Sequence, residues 1–174
     1  MLKLVNCPVC DASSISSFIK TKAQMHSAKE MFNFDQCSNC SLVFLNPRLP
    51  LDQLKKYYTS YYLPYRGAKA WGKFEKLVEG SQKKLDAKRV SRINNIQKLS
   101  NTSLILDIGC GNPSFLKACQ KSFKCNTMGI DFSDEGWKDQ PASFEGINLQ
   151  VAEINELKND LQPDIITMWH YLEH

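Results

Sequence analysis

Long apolar runs are missing from this chain. Nowhere does it contain the ~18 or more apolar residues in succession that a membrane span needs. The opening MLKLVNCPVC also lacks the apolar core and small-residue cleavage site of a secretory signal. A cytoplasmic location and no membrane partner are therefore expected. Internal repeats and low-complexity segments are absent too, which excludes a repeat architecture and leaves 174 residues for one ordinary domain or two small ones. Charge of one sign is scarce, with a formal net charge of +4. The excess is concentrated between Lys69 and Lys98, with nine Lys/Arg against three Asp/Glu. Two readings of that run stay open. It is the solvated face of a helix, or it touches nucleic acid or a phosphorylated substrate.

Cysteine is well represented. Cys7-Pro8-Val9-Cys10 and Cys37-Ser38-Asn39-Cys40 form two CxxC pairs with 26 residues between them, while Cys110, Cys119 and Cys125 are scattered. In a reducing compartment such pairs favour a metal over disulfides. Four thiolates satisfy tetrahedral zinc completely, so the site is closed and structural, with no open position for catalysis. A segment of ~45 residues buries too little to fold well alone, and a metal supplies the deficit. A redox role is disfavoured because no thioredoxin-like βαβ pattern surrounds either pair. His26 is read as an ordinary histidine, since four cysteines already fill the shell. Residues 1–48 are thus expected to be a small β-rich zinc-binding module. Its strands are expected at Leu2–Asn6, Ile15–Lys20, Met31–Gln36 and Ser41–Leu45, and Asn46-Pro47-Arg48-Leu49-Pro50 closes it.

A helical linker or cap is expected over 49–101. Asp52–Tyr58 is a short amphipathic segment. Tyr57, Tyr58, Tyr61, Tyr62 and Tyr65 then crowd together, either as half-buried packing or as the lining of a pocket. Trp71–Leu99 is predicted to be one long helix, with a break near Gly80. Trp71, Phe74, Leu77, Val78, Leu85, Val90, Ile93 and Ile96 form its apolar stripe. The pattern then alternates. Strands are predicted at Leu104–Ile108, Thr127–Asp131, Asn148–Ala152 and Asp164–Trp169. A helix is predicted over Pro113–Lys121, and a short one from Ser133 to Trp137. The fold class is α/β: residues 102–174 are the front half, four strands, of a Rossmann-like doubly wound parallel sheet.

The stretch from Leu104 to Pro113, LILDIGCGNP, carries the most chemistry. A buried strand enters a tight glycine turn, and the turn opens a helix. Gly109 and Gly111 allow a sharp bend and a close approach to the main chain. The helix start beyond presents unpaired N–H groups. A dinucleotide fingerprint would carry a third glycine where Ser114 stands. Asp107, two residues before the first glycine, is not part of that fingerprint. A carboxylate there orders the loop's N–H groups and pairs with an ammonium, which favours S-adenosylmethionine over NAD. Asp131 ends the second strand, where it either accepts both ribose hydroxyls or caps a turn. Glu153, after the third strand, either reaches an adenine edge or is a solvent-facing loop acid.

LILDIGCG, then GIDFS, then PDIITMWHYLEH, with CPVC and CSNCSLVFLNPR upstream, resembles the class I S-adenosylmethionine-dependent methyltransferases. The subset it resembles carries an N-terminal zinc-binding segment and is similar to bacterial sugar C-methyltransferases. The resemblance implies that Asp107, Gly109 and Gly111 line the methionine end of the cofactor. It places the ribose on Asp131 and adenine near Glu153. Trp169 and His170 would flank the methionine or the substrate, with His170 as a candidate general base. It implies methyl transfer to a small molecule such as a nucleotide-linked sugar. An RNA methyltransferase gripping its substrate through the zinc module and basic helix is the rival reading. A zinc-binding remnant without activity is another. The family's third glycine is replaced by Pro113, and its seven-stranded sheet is represented by four strands. A fragment, or a second chain completing the sheet, is therefore expected. His170 and His174, spaced i and i+4, lack a third ligand, so no second metal site is read from them.

Overall fold

The period-two patterns of the N-terminal segment pair antiparallel, as expected for strands separated by a turn-length connection. Residues 2–22, 30–54, 57–58, 65 and 67–172 are described by a computed structural model of the chain. The chain divides into two compact units, Met1–Thr59 and Ser60–His174. Among the described residues no helix is long and apolar enough to cross a membrane.

In the first unit, strands β1 (Ile15–Lys22), β2 (Met31–Cys37) and β3 (Val43–Leu45) form one sheet in the order β1-β2-β3. The register runs from Ile15 opposite Cys37 to Lys22 opposite Met31, with a bulge between Ser17 and Ile19. A short helix, α1 (Leu51–Leu54), follows, where Asp52–Tyr58 was predicted; residues 55–56 lie outside the described residues. So do His26, Tyr61 and Tyr62. The predicted strand Leu2–Asn6 is reduced to one bridge between Leu2 and Arg48. The cause is a side chain. Asn46 accepts from the Leu4 N–H at 2.9 Å and donates to the Leu4 carbonyl at 2.9 Å, so its amide takes the place of a strand neighbour. The strand predicted from Ser41 begins two residues later, because Ser41 adopts φ 62°.

Asn46 is 1% exposed and also donates to Asp35 Oδ2 at 2.7 Å. Asn33 donates to Asp35 Oδ1 at 2.6 Å and to the Asn46 carbonyl at 3.1 Å. The interior of this unit is therefore a polar chain of amides around one buried carboxylate, with Phe44, Cys7 and Cys37 as its buried apolar part. Such a chain holds only while every member is satisfied.

In the second unit the long helix breaks elsewhere than expected. A 3-10 segment, Ala68–Phe74, precedes α2 (Glu75–Ile96). The break falls at Gly72, whose φ 51° and ψ −118° only glycine adopts readily, and Gly80 lies inside α2. The apolar stripe is also corrected. Trp71, Phe74, Leu77, Leu85 and Ile96 remain exposed, and the buried residues of α2 are Asp86 and Ile93. Val90 packs beside Ile93. The inward face is half polar because it lies over the polar end of a sheet.

That sheet contains β4 (Leu104–Ile108), β5 (Asn126–Asp131), β6 (Asn148–Val151) and β7 (Ile165–Thr167), all parallel, in the order β6-β5-β4-β7. In chain order this is third, second, first, fourth. It places a topological switch beside β4, where crevices form at the carboxyl ends of parallel strands. Helix α3 (Ser114–Phe123) follows β4, with Pro113 at its N-cap. Ile105 shares one face with Ile93, Phe115, Leu116 and Cys119. Leu106, Ile108, Met128 and Ile130 share the other, under Leu157, Leu161 and Met168. The helix predicted at Ser133–Trp137 is instead a series of turns, in which Trp137 and Lys138 both donate to the Asp134 carbonyl at 2.9 Å. Gly136 interrupts helical propensity there. Strand β7 stops at Thr167, short of the predicted Trp169, because the chain turns into a left-handed residue at His170 (φ 56°).

Asn46→Ala should leave the Leu4 backbone groups and the Asp35 carboxylate short of partners. The expected loss is about 2–4 kcal/mol, from two or more buried groups at roughly 1–3 kcal/mol each. A urea titration of the full chain followed by zinc release to a chromogenic chelator should show its midpoint moved to lower denaturant.

Candidate functional site

Each cysteine pair sits in a turn of the same construction. The Cys7 N–H donates to the Ala12 carbonyl (2.9 Å), and the Asp11 N–H returns to Cys7 (3.0 Å). In the second turn Cys37 donates to Leu42 (2.9 Å) and Ser41 returns to Cys37 (2.9 Å). Asp11 and Ser41 both take left-handed backbone (φ 55° and 62°), which reverses the chain after each CxxC. The two turns face each other, and all four Sγ atoms lie within 4.8 Å of one another. Cys7 to Cys40 and Cys10 to Cys37 are each 3.6 Å. A thiolate tetrahedron at Zn–S distances of about 2.3 Å has edges of roughly 3.8 Å, so the donor set fits zinc.

The electrostatics agree with that fit. The Asn39 amide, 3.4 Å from Cys10 Sγ, together with the Ala12 backbone, lowers the Cys10 thiol to about 6. The Leu42 backbone favours the Cys40 thiolate, but desolvation and hydrogen bonds with the other three sulfurs outweigh it and hold that thiol at about 12. Four sulfurs this close release their protons together only with a cation between them.

The second cluster lies at the carboxyl ends of the parallel strands. Gly109 (φ 71°) and Gly111 (φ 50°) make the turn after β4, and the N–H groups of Gly109 and Cys110 both donate to the Ile130 carbonyl, at 2.8 and 3.0 Å. The turn thereby folds over the end of β5. Asp107 is 3% exposed and accepts from Thr167 Oγ1 at 2.6 Å. Burial raises its carboxyl to about 7, against the pull of Thr167 and Arg89. The loop N–H expected to bind Asp107 binds Asp131 instead: Gly111 donates to Asp131 Oδ2 at 3.0 Å. The reason is the fold of the turn, which sets Gly111 above the last residue of β5. Asp131 Oδ1 accepts from the Tyr65 hydroxyl (3.0 Å) and the Ser133 N–H (3.2 Å).

Helix α2 supplies residues that the sequence reading did not single out. Asp86 is buried, accepts from Gln82 at 3.0 Å, and is raised chiefly by desolvation. Arg89 is 3.7 Å from Asp86, and its guanidinium stands 4.3 Å from the Trp169 ring centroid. Trp169 meets Phe115 edge-on at 5.4 Å. Arg89 Nε and Trp169 Nε1 are buried, and neither has a hydrogen-bond partner among the described residues. Two adjacent donors without an acceptor mark a place for an anion. The available signal was the spacing of Asp86 and Arg89 beside Val90 and Ile93, charges on the inward stripe. The other basic residues of α2, among them Lys84, Lys88 and Arg92, are exposed.

Close approaches shape the rest. A Cβ at Gly109 would stand 2.4 Å from the Tyr171 ring, and one at Gly136 would stand 2.0 Å from the Gly111 carbonyl oxygen. Glu153, two residues beyond β6, caps a short 3-10 turn and shares a capping box with Glu156. It also helps raise the Tyr171 phenol, after desolvation. His170 is exposed, and His174 lies outside the described residues. Asp107, Gly109, Gly111, Asp131 and Trp169 are thus brought to one end of the sheet, with Glu153 just beyond the next strand. Cys110, Cys119 and Cys125 are buried, and burial raises their thiols, so they belong to the packing.

A family model described as a methyltransferase domain matches residues 81–174, more than half of the chain. No curated protein matches it.

Two outcomes are expected. The purified chain should carry one equivalent of zinc, and Cys37→Ser should lower that content while leaving the second unit's helical circular dichroism in place. Asp107 has its carboxyl raised from 3.8 to about 7, so it favours folding below pH 4 and opposes it as pH climbs toward 7. Asp107→Asn should therefore raise the thermal midpoint at pH 7.5 and raise it much less at pH 4.5.

Proposed function

The chain belongs to the methyltransferase-domain family, and on that premise we propose that it binds S-adenosylmethionine at the carboxyl ends of β4, β5 and β6 and methylates a small molecule. The observation that carries the cofactor assignment is a pairing of opposite needs within one cluster. Among the described residues, Asp107 is a buried carboxylate without a cation at hydrogen-bond distance, while Arg89 Nε and Trp169 Nε1 are buried N–H donors without an acceptor. The amino-acid end of S-adenosylmethionine carries an ammonium and a carboxylate on one carbon. Asp107 is assigned to the ammonium and Arg89, with Trp169, to the carboxylate. A cation at Asp107 also draws its carboxyl back to the ionised form. Asp131 is assigned to the ribose and Glu153 to the adenine side.

When bound, the cofactor would supply a sulfonium-activated methyl group for an acceptor's electron pair. The protein's part is alignment and exclusion of water. Tyr171 closes over the glycine turn, and His170, just beyond β7, is the candidate base for an acceptor that must lose a proton. The four cysteines are assigned to structural zinc. A nucleotide-linked sugar is the acceptor proposed, on the resemblance of the cysteine and glycine motifs together.

Isothermal titration of the zinc-loaded chain with S-adenosylmethionine, and separately with NAD, tests the assignment. Saturable binding of the first alone is expected. Asp107→Ala and Arg89→Ala should each weaken it by at least about tenfold, or roughly 1.4 kcal/mol. Binding of NAD, or of neither ligand, would sink the reading.

A further inference from the structure

The acid assigned to the ribose is already full, and the inference drawn from this rests on the cofactor reading above. A carboxylate has about four acceptor positions, two on each oxygen. On Asp131 the Tyr65 hydroxyl and the Ser133 N–H take Oδ1, and the Gly111 N–H takes Oδ2. The Phe132 backbone N–H is a fourth donor to the same group. A ribose hydroxyl that donates to this carboxylate needs one of those positions.

The four donors are not equally replaceable. Gly111 is fixed by the turn whose neighbouring N–H groups are tied to Ile130, and Phe132 and Ser133 are backbone groups directly following Asp131. Tyr65 differs. Its donor is a side-chain hydroxyl brought from 66 residues earlier in the chain, on a ring that is 5% exposed. A phenol O–H and a sugar O–H are the same kind of donor. Exchanging one for the other conserves the hydrogen-bond count, whereas displacing a backbone N–H would distort the glycine turn.

We propose that the Tyr65 hydroxyl holds the place of a ribose hydroxyl on Asp131, and that the cofactor displaces it. Tyr65 is then an affinity-setting residue that competes with the cofactor from within the chain. It weakens binding of any ligand that uses Asp131, and in the absence of ligand it keeps a buried carboxylate satisfied. The cost of vacating the position falls equally on every ligand that uses Asp131, so it lowers their affinities together and leaves their ratios unchanged.

The test uses the full zinc-loaded chain and S-adenosylhomocysteine as the probe, by isothermal titration, with thermal unfolding of the ligand-free protein measured alongside. Tyr65→Phe keeps the ring and removes the competing hydroxyl. The expected result is binding about 3–10-fold tighter together with a lower ligand-free melting temperature. The opposite signs are the signature, because a purely structural tyrosine would lower both affinity and stability. Tyr65→Met, which also lacks the hydroxyl, should shift affinity the same way if Tyr65→Phe fails to fold. Equal or weaker binding by the folded variants would overturn the role of Tyr65 and leave the cofactor assignment standing. Absence of binding by wild type and variants alike, with zinc content intact, would overturn the cofactor assignment and this inference with it.

Discussion

Two carboxylates, Asp107 and Asp131, are buried at the ends of adjacent parallel strands, and the second unit is arranged around the need to keep them there. Burial opposes ionisation of both. Asp131 meets that cost with hydrogen bonds, three of them from backbone amides or a tyrosine at 3.0–3.2 Å. Asp107 has one strong hydrogen bond, from Thr167, and the field of Arg89. The difference separates their chemistry. One acid has part of its burial cost offset by fixed dipoles and belongs to the loop. The other is poised near neutrality and gains most from an incoming cation.

The same constraint explains why α2 is a poor amphipathic helix. A helix that covers only apolar surface can present only apolar residues. This one lies partly over the strand ends and brings Gln82, Asp86 and Arg89 to them, which places a guanidinium against Trp169 and Phe115. Ile93 and Val90 attach it to the core further along.

The four-cysteine cluster and the strand–glycine turn–helix segment were legible from spacing alone, because CxxC and LILDIGCG encode local geometry. The parallel sheet was legible because its strands are short apolar runs with breakers between them. What escaped depended on distant partners. That Asn46 replaces a strand against Leu4 is invisible until residues 42 apart meet. That Asp131, and not Asp107, receives the Gly111 N–H depends on how far the turn leans over β5. The constraint on Gly136 is the Gly111 carbonyl, which no local pattern shows. Tyr65 was one of five crowded tyrosines, and nothing in its neighbourhood distinguished it from the rest.

In the first unit the two cysteine turns are near copies, yet their thiols meet solvent unequally. Cys7 and Cys37, the first member of each pair, are buried, Cys10 is intermediate and Cys40 is exposed. Ligand exchange at such a centre is directional. An entering chelator or oxidant meets Cys40 first, and the second turn lets go before the first. Were an ion held by these sulfurs, its lifetime would follow how often a single surface turn opens, separately from the affinity that all four sulfurs set together.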